Sequence, residues 1–281
     1  MVSDYGQRVE YKNKIMTVSI VGRENTVIVL LPGLGSPSPV IEFKALSSFL
    51  ANKYKVITIE YLGYGISDRP DTERSLENIA EELHYCMTEL KCDKYILAAH
   101  SLSGIYCLYY ANKYPNEVEG FIGIDSSVPQ QIEDAKLMDA NITALQKDIG
   151  RSGSKLYRWG IHIRTRVMML YCRKDYRYSK EDITTYADLW ADGFSSENAL
   201  NELKTFNINF KKLIGVKFPL NIPVLFILAR HSMKQISNWY EWHEELLGNN
   251  KGRIVVLEGR HYLHLMHPKE TANEIELFLN S

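Results

Sequence analysis

The stretch "AAHSLSGIYCLYYANKYP", residues 98–115, changes character within a few residues. The run leading into it, "KYILAAH" (94–100), is apolar and compact, as at the end of a buried strand. Beyond it, Ile105, Leu108 and Tyr109 recur at helical spacing. His100, Ser101, Ser103 and Gly104 lie between the two patterns. A chain that turns from strand to helix this sharply needs small side chains two positions before and two after the corner. Ala99 and Ser103 meet that demand around Ser101, whereas centring the turn on Ser103 would put the bulky Ile105 at its flank. A serine at such a corner projects its hydroxyl above the sheet. The N–H of the next residue, Leu102, points into the same space, and the helix N-terminus favours developing negative charge there. Ser101 is therefore the candidate nucleophile.

Outward from this corner the chain repeats one pattern. "TVIVLLPG" (26–33), "YKVITIEYLGYG" (54–65), "VEGFIGIDSS" (118–127), "IPVLFILAR" (222–230) and "GRIVVLEGR" (252–260) are short apolar, β-branched runs closed by turn residues. Amphipathic stretches separate them; in "SLENIAEELHYCMTEL", Leu76, Ile79, Ala80, Leu83, Met87 and Leu90 share one face. The alternation predicts an α/β chain, a mostly parallel sheet with helices on both faces. "GQRVEYKNKIMTVSIVG" reads as a hairpin added at one edge, and Pro268 suits the first turn of a closing helix. Residues 129–218 break the rhythm: they hold no convincing buried strand and carry Tyr157, Trp159, Tyr171, Tyr176, Tyr178, Tyr186, Trp190 and Phe194. The expected organisation is a core of 1–128 and 219–281 with a helical cap, 129–218, inserted before the last two strands. Its aromatic content suits a lid whose Trp159 and Trp190 shape the pocket.

Composition excludes several classes. The 281 residues hold 33 basic and 34 acidic side chains, so no nucleic-acid partner is expected. No run approaches the ~18 apolar residues of a membrane span, and the N-terminus lacks the apolar core of a signal peptide. Cys86, Cys92, Cys107 and Cys172 fit neither a zinc pattern nor a disulfide framework and read as free thiols of a cytoplasmic protein. His261, His264 and His267 are closely spaced, but there is no HExxH and Pro268 follows directly. The glycines of "PGLGSPSP" lack the Lys-Ser/Thr of a phosphate-binding loop. No metal or organic cofactor is expected.

Four segments carry a family resemblance, in order. "AHSLSG" resembles the nucleophile elbow G-x-S-x-G of the α/β-hydrolase fold superfamily, with Ala99 and Ser103 in place of the outer glycines. "LLPGLGSPS" resembles its oxyanion loop, "IEYLGYGISD" its D-x-x-G-x-G-x-S loop with Glu60 for Asp, and "EGRHYLHLMHP" its terminal histidine segment. The resemblance covers nearly all of the chain outside 129–218. It implies His261 as the base for Ser101, and Leu34 and Leu102 as N–H donors to an oxyanion. Gly33 and Gly35 would let the loop approach the substrate, and His100 would hydrogen-bond backbone beneath the nucleophile. His264 would line the pocket or stand just behind its wall. The position where most of the family keeps its acid is empty: "FILARHSMKQISNW" contains no Asp or Glu. Asp125, at the end of "GFIGIDSS", is the candidate acid; Glu241 and Glu244 remain the alternatives.

The implied activity is a serine hydrolase that cleaves an acyl bond, by default an ester, of a small or medium-sized substrate. A peptidase, an amidase and a carbon–carbon bond hydrolase would use the same triad. Serine rather than a carboxylate at position 101 argues against epoxide hydrolysis and dehalogenation. A ligand receptor on the same fold is the alternative of another class. The sequence carries no reading of oligomeric state.

Overall fold

The computed structural model describes residues 5–133, 135–171 and 174–281; Cys172 lies outside them. Among the described residues there is one eight-stranded sheet in the order β1-β2-β4-β3-β5-β6-β7-β8. The strands β1 (Gln7–Tyr11) and β2 (Lys14–Val21) form the edge hairpin. Their tight turn places Lys12 and Asn13 at positive φ. Antiparallel pairing joins β2 to β4 (Lys55–Glu60). From there β3 (Val27–Leu31), β5 (Tyr95–His100), β6 (Val118–Ile124), β7 (Val224–Ala229) and β8 (Gly252–Leu257) run parallel.

Successive strand residues face opposite sides of the sheet, and both sides are covered. Val29, Ile57, Leu97, Phe121 and Phe226 pack on one side, with α3 (Leu76–Glu89), α4 (Ser103–Lys113), α8 (Phe194–Leu213) and α10 (Trp239–Leu247). Ile28, Leu30, Ile96, Ile122 and Ile227 pack on the other, against α2 (Lys44–Leu50), α11 (Leu263–Met266) and α12 (Pro268–Leu279). Helix α3 starts where the Ser75 hydroxyl accepts from the Asn78 N–H, and α12 starts at Pro268, whose missing N–H costs nothing there. Between β6 and β7 lie a short 3₁₀ turn (Pro129–Glu133), α5 (Ala135–Arg151), α6 (Lys155–Tyr171), α7 (Lys180–Ala191) and α8. A capping box fixes the start of α7: Ser179 accepts from the Asp182 N–H, and Asp182 accepts from the Ser179 N–H. Two more short helices complete the chain: α1 (Pro39–Glu42) precedes α2, and α9 (Arg230–Gln235) follows β7. Cys86, Cys92 and Cys107 are buried free thiols.

Candidate active site

Strand β5 ends at His100, and Ser101 follows with φ 52°, a left-handed conformation that a non-glycine residue adopts only at a cost. The surrounding chain holds it there. The Ser101 carbonyl accepts from the Gly104 N–H at 3.0 Å and from the Ser127 N–H at 2.8 Å. Ala99 and Ser103 are fully buried, and the Ser103 hydroxyl donates to the Pro32 carbonyl at 2.5 Å. The second serine is thus engaged in holding the loop after β3, and Ser101 is the one that faces a cavity. A Cβ on Gly33 would come within 2.6 Å of His100 Nδ1 and 2.9 Å of Ser101 Cβ, so only glycine lets that loop lie against the elbow. Among the described residues, neither the Leu34 nor the Leu102 N–H donates to a protein acceptor.

Asp125 directly follows β6 in the same unusual conformation, φ 45°, and is wholly buried. Its Oδ1 accepts from the Ala229 N–H and from Trp239 Nε1, each at 3.0 Å. Its Oδ2 accepts from Ser232 Oγ at 2.5 Å and lies 2.7 Å from His261 Nδ1. Burial pushes this carboxyl up, but His261, Ser232 and the Ala229 N–H outweigh it and hold Asp125 below the usual carboxylate range. With Nδ1 of His261 on the carboxylate, Nε2 is the nitrogen left for other partners. Glu241 and Glu244 are exposed on α10. Beneath the site, His100 Nε2 donates to the His261 carbonyl at 3.2 Å. Burial, with His264 and His261 adjacent, keeps the His100 pKa well below its ordinary value, so its ring is neutral.

Ser101, His261 and Leu34 share the wall of a cavity of about 320 Å³ with Ser127, Gln131, Ala144, Leu145, Ser232, Gln235, Ile236, Trp239 and Tyr262. Among the described residues, no Lys, Arg, Asp or Glu contributes to this wall. Gln131, Ala144 and Leu145 come from the segment between β6 and β7. Among the described residues no hydrogen bond joins Ser101 to His261, a contact that often tightens only once substrate is bound. Trp159 takes no part in the cavity wall: it projects outward from α6. Trp190 packs edge-on to Tyr186 within α7. Gly35, at φ 68°, borders Ala199 of α8.

Several supporting residues were not singled out by the sequence. Ser232 and Trp239 stand in the loop region that lacks an acid, and they donate to Asp125 instead of replacing it. His264 is fully buried behind the wall and lies 3.0 Å from Glu42 Oε1. Glu42 Oε2 accepts from Ser36 at 2.9 Å and Tyr186 at 3.1 Å. Glu42, His100 and His264 can present ligand atoms within 4.8 Å of one another, but both Glu42 oxygens already have hydrogen-bond partners. Glu60, which replaces the Asp of the resembling loop, accepts from Tyr5 at 2.7 Å, Ile66 N–H at 3.0 Å and Val40 N–H at 3.3 Å. A Cβ on Gly65 would lie 2.0 Å from Glu60 Oε2, so the longer acid fills the space that this glycine leaves.

Comparison with known proteins agrees with this architecture. Residues 26–268 match the family model described as alpha/beta hydrolase fold. Over 94% of this chain and 82% of its counterpart, the sequence is 26% identical to the uncharacterized protein YbdG of Bacillus subtilis (strain 168). It is 30% identical to pimeloyl-[acyl-carrier protein] methyl ester esterase of Legionella pneumophila (strain Corby), over only 38% of this chain and 40% of that one. The epoxide hydrolase VrEH1 from Vigna radiata superposes with a TM-score of 0.71 at 17% identity, covering 98% of this chain and 97% of that structure. A likeness at that identity speaks for the fold alone, but the family match spans strands β3 to β8, the elbow and the histidine segment together, and the chain belongs to the alpha/beta hydrolase fold family.

Proposed function

We propose that this chain is a serine hydrolase that cleaves an ester of a small or medium-sized, uncharged acyl group through an acyl-enzyme. The observation that carries the reading is the 2.7 Å contact of His261 Nδ1 with the buried Asp125 carboxylate, in a cavity wall that also holds Ser101. In this reading His261 Nε2 takes the Ser101 proton as Oγ adds to the substrate carbonyl. Asp125 keeps the imidazole in the required tautomer and stabilises the imidazolium. The Leu34 and Leu102 N–H groups, which among the described residues have no protein acceptor, receive the oxyanion, helped by the α4 N-terminus. Collapse passes the proton from His261 to the leaving alkoxide, and a water activated by His261 then releases the acid. Among the described residues the wall is lined by apolar and uncharged polar side chains together with His261, which suits a neutral acyl group. Epoxide opening in this fold uses a carboxylate nucleophile, which a serine at position 101 does not supply. Residues 129–218 act as the lid, supported by the three side chains they contribute to the cavity. The buried thiols fit a cytoplasmic setting.

The test is turnover of p-nitrophenyl esters of graded chain length together with fluorophosphonate labelling. Ser101→Ala should abolish labelling and lower turnover at least about a thousandfold, and His261→Ala should do the same to turnover. Ser103→Ala should keep far more activity. Near-wild-type turnover in Ser101→Ala would end the serine-nucleophile reading, and a wild-type chain that neither labels nor turns over would point to a receptor.

A further inference from the structure

Helix α6 is apolar on two opposite sides. Ile161, Thr165 and Met169 are buried, and they pack α6 against α7 and the body of the protein. Leu156, Trp159, Ile163, Val167 and Leu170 recur every three or four residues and so form a second stripe. Ile163 is two residues from both Ile161 and Thr165, which places the second stripe on the far side of the helix. These five side chains are 42–76% exposed. Single exposed apolar residues are ordinary, but a continuous row along a helix marks an interaction surface.

Charge says what covers it. Helix α6 contains Lys155, Arg158, Arg164 and Arg166, all exposed, and no Asp or Glu, in a chain whose formal net charge is −1. Arg158 pairs with Asp188 of α7, and His162 lies 3.1 Å from the same carboxylate. The Arg164 guanidinium stacks 4.6 Å from the Trp190 ring. Lys155 and Arg166 form no ion pair with any described residue, and both border the shallow depression that holds Trp159 and Ile163. Arg177, also exposed, continues the basic rim beside Leu170. A second copy of the chain would set one basic rim against another. A nucleic acid would satisfy the cations but leave the apolar row uncovered. A bilayer with anionic headgroups satisfies both, with the row in the acyl boundary and the cations at the phosphates. Among the described residues no helix can cross a membrane, so this contact would be interfacial.

We propose that the outer face of α6 docks the protein on an anionic lipid surface. The inference does not depend on the chemistry assigned to Ser101. The test is flotation of the full chain with vesicles of phosphatidylcholine, with and without phosphatidylglycerol, alongside tryptophan fluorescence. The wild type should float with the phosphatidylglycerol vesicles, with a blue-shifted emission, and should be released by salt. Leu156→Ser with Trp159→Ser should weaken this binding about a hundredfold. Lys155→Ala with Arg166→Ala should weaken it about thirtyfold and remove the preference for phosphatidylglycerol. Both variants change exposed positions, and unchanged circular dichroism and thermal melting would show that they fold. Absence of flotation, equal flotation of wild type and the Leu156/Trp159 variant, or a lipid-free dimer built through these residues would each overturn the proposal.

Discussion

Asp125 holds a conformation that costs an aspartate free energy, φ 45°, and four donors converge on its two oxygens. A carboxylate so fully satisfied can orient a neighbouring imidazole without being protonated itself. Asp125→Asn keeps the shape but admits the wrong His261 tautomer, and esterase turnover should fall by roughly a thousandfold or more. Affinity for a substrate analogue should change little, because in the proposed triad the carboxylate would act mainly in the transition state. Ser232→Ala removes one donor of four and should cost about tenfold or less, with Asp125 titrating closer to the ordinary aspartate value. An Asp125→Asn enzyme within about tenfold of wild type would remove the residue from the proposed triad. The positions of Ser101, Asp125 and His261 were legible because each follows the carboxyl end of a strand, directly for the first two and four residues on for His261, and strand ends can be read from apolar runs and small turn residues. Ser232, Trp239 and Glu42 were not. Each of the three side chains meets a partner more than a hundred residues away, and no local pattern signals a contact made across the fold.

Elements followed the sequence where periodicity was strong and departed from it where a helix has two apolar sides. The six apolar runs became β3 to β8, and the edge hairpin and α12 lie where turn residues and Pro268 place them. Trp159 suited a pocket on composition alone; the structure turns it outward because Ile161, Thr165 and Met169 occupy the inner side of α6. Composition carries no direction, and only the packing partner decides which stripe is buried. Loops carry the other departure, and Glu60 gives it a measurable consequence. Burial lifts its carboxyl from 4.5 to about 7, against the donors that oppose the shift. Between those values the unfolded chain is ionised at this residue and the folded chain is protonated, so the unfolded state binds fewer protons. Stability must then decline as pH rises through that window. Urea unfolding from pH 4.5 to 7 should show the wild type losing up to about 3 kcal/mol more than Glu60→Gln, whatever the constant offset between the two proteins. Parallel stability curves would remove this assignment.

At the scale of the whole molecule, the segment between β6 and β7 is fastened to the sheet-bearing body by buried and half-buried polar contacts on two sides. On one side Tyr186 of α7 donates to Glu42, and Lys44 lies 2.6 Å from Asp182. On the other, fully buried Arg74 grips Glu82 of α3 with both terminal nitrogens, at 2.6 and 3.0 Å. Its Nε stands 3.7 Å from Glu202 of α8. Tyr64 donates to the same Glu202 at 2.7 Å, and Asn209 of α8 donates to the Arg74 carbonyl at 2.9 Å. Burial still raises Glu202 to about 7, so one guanidinium does not fully compensate two buried carboxyls. Such a cluster positions α8 more than it stabilises the fold, because desolvation offsets most of the attraction. The two halves of that statement separate by mutation. Arg74→Met leaves Glu82 and Glu202 buried without their cation and should lower the unfolding free energy by about 3–5 kcal/mol. Replacing all three, Arg74→Met with Glu82→Leu and Glu202→Leu, should recover most of that loss in the same urea titration. The recovered protein should nevertheless show altered chain-length preference with ester substrates, because α8 abuts α5, which supplies Ala144 and Leu145 to the cavity. A triple variant as unstable as Arg74→Met would mean that the cluster stabilises the fold outright. Recovered stability with an unchanged chain-length profile would mean that α8 is placed by its apolar contacts alone.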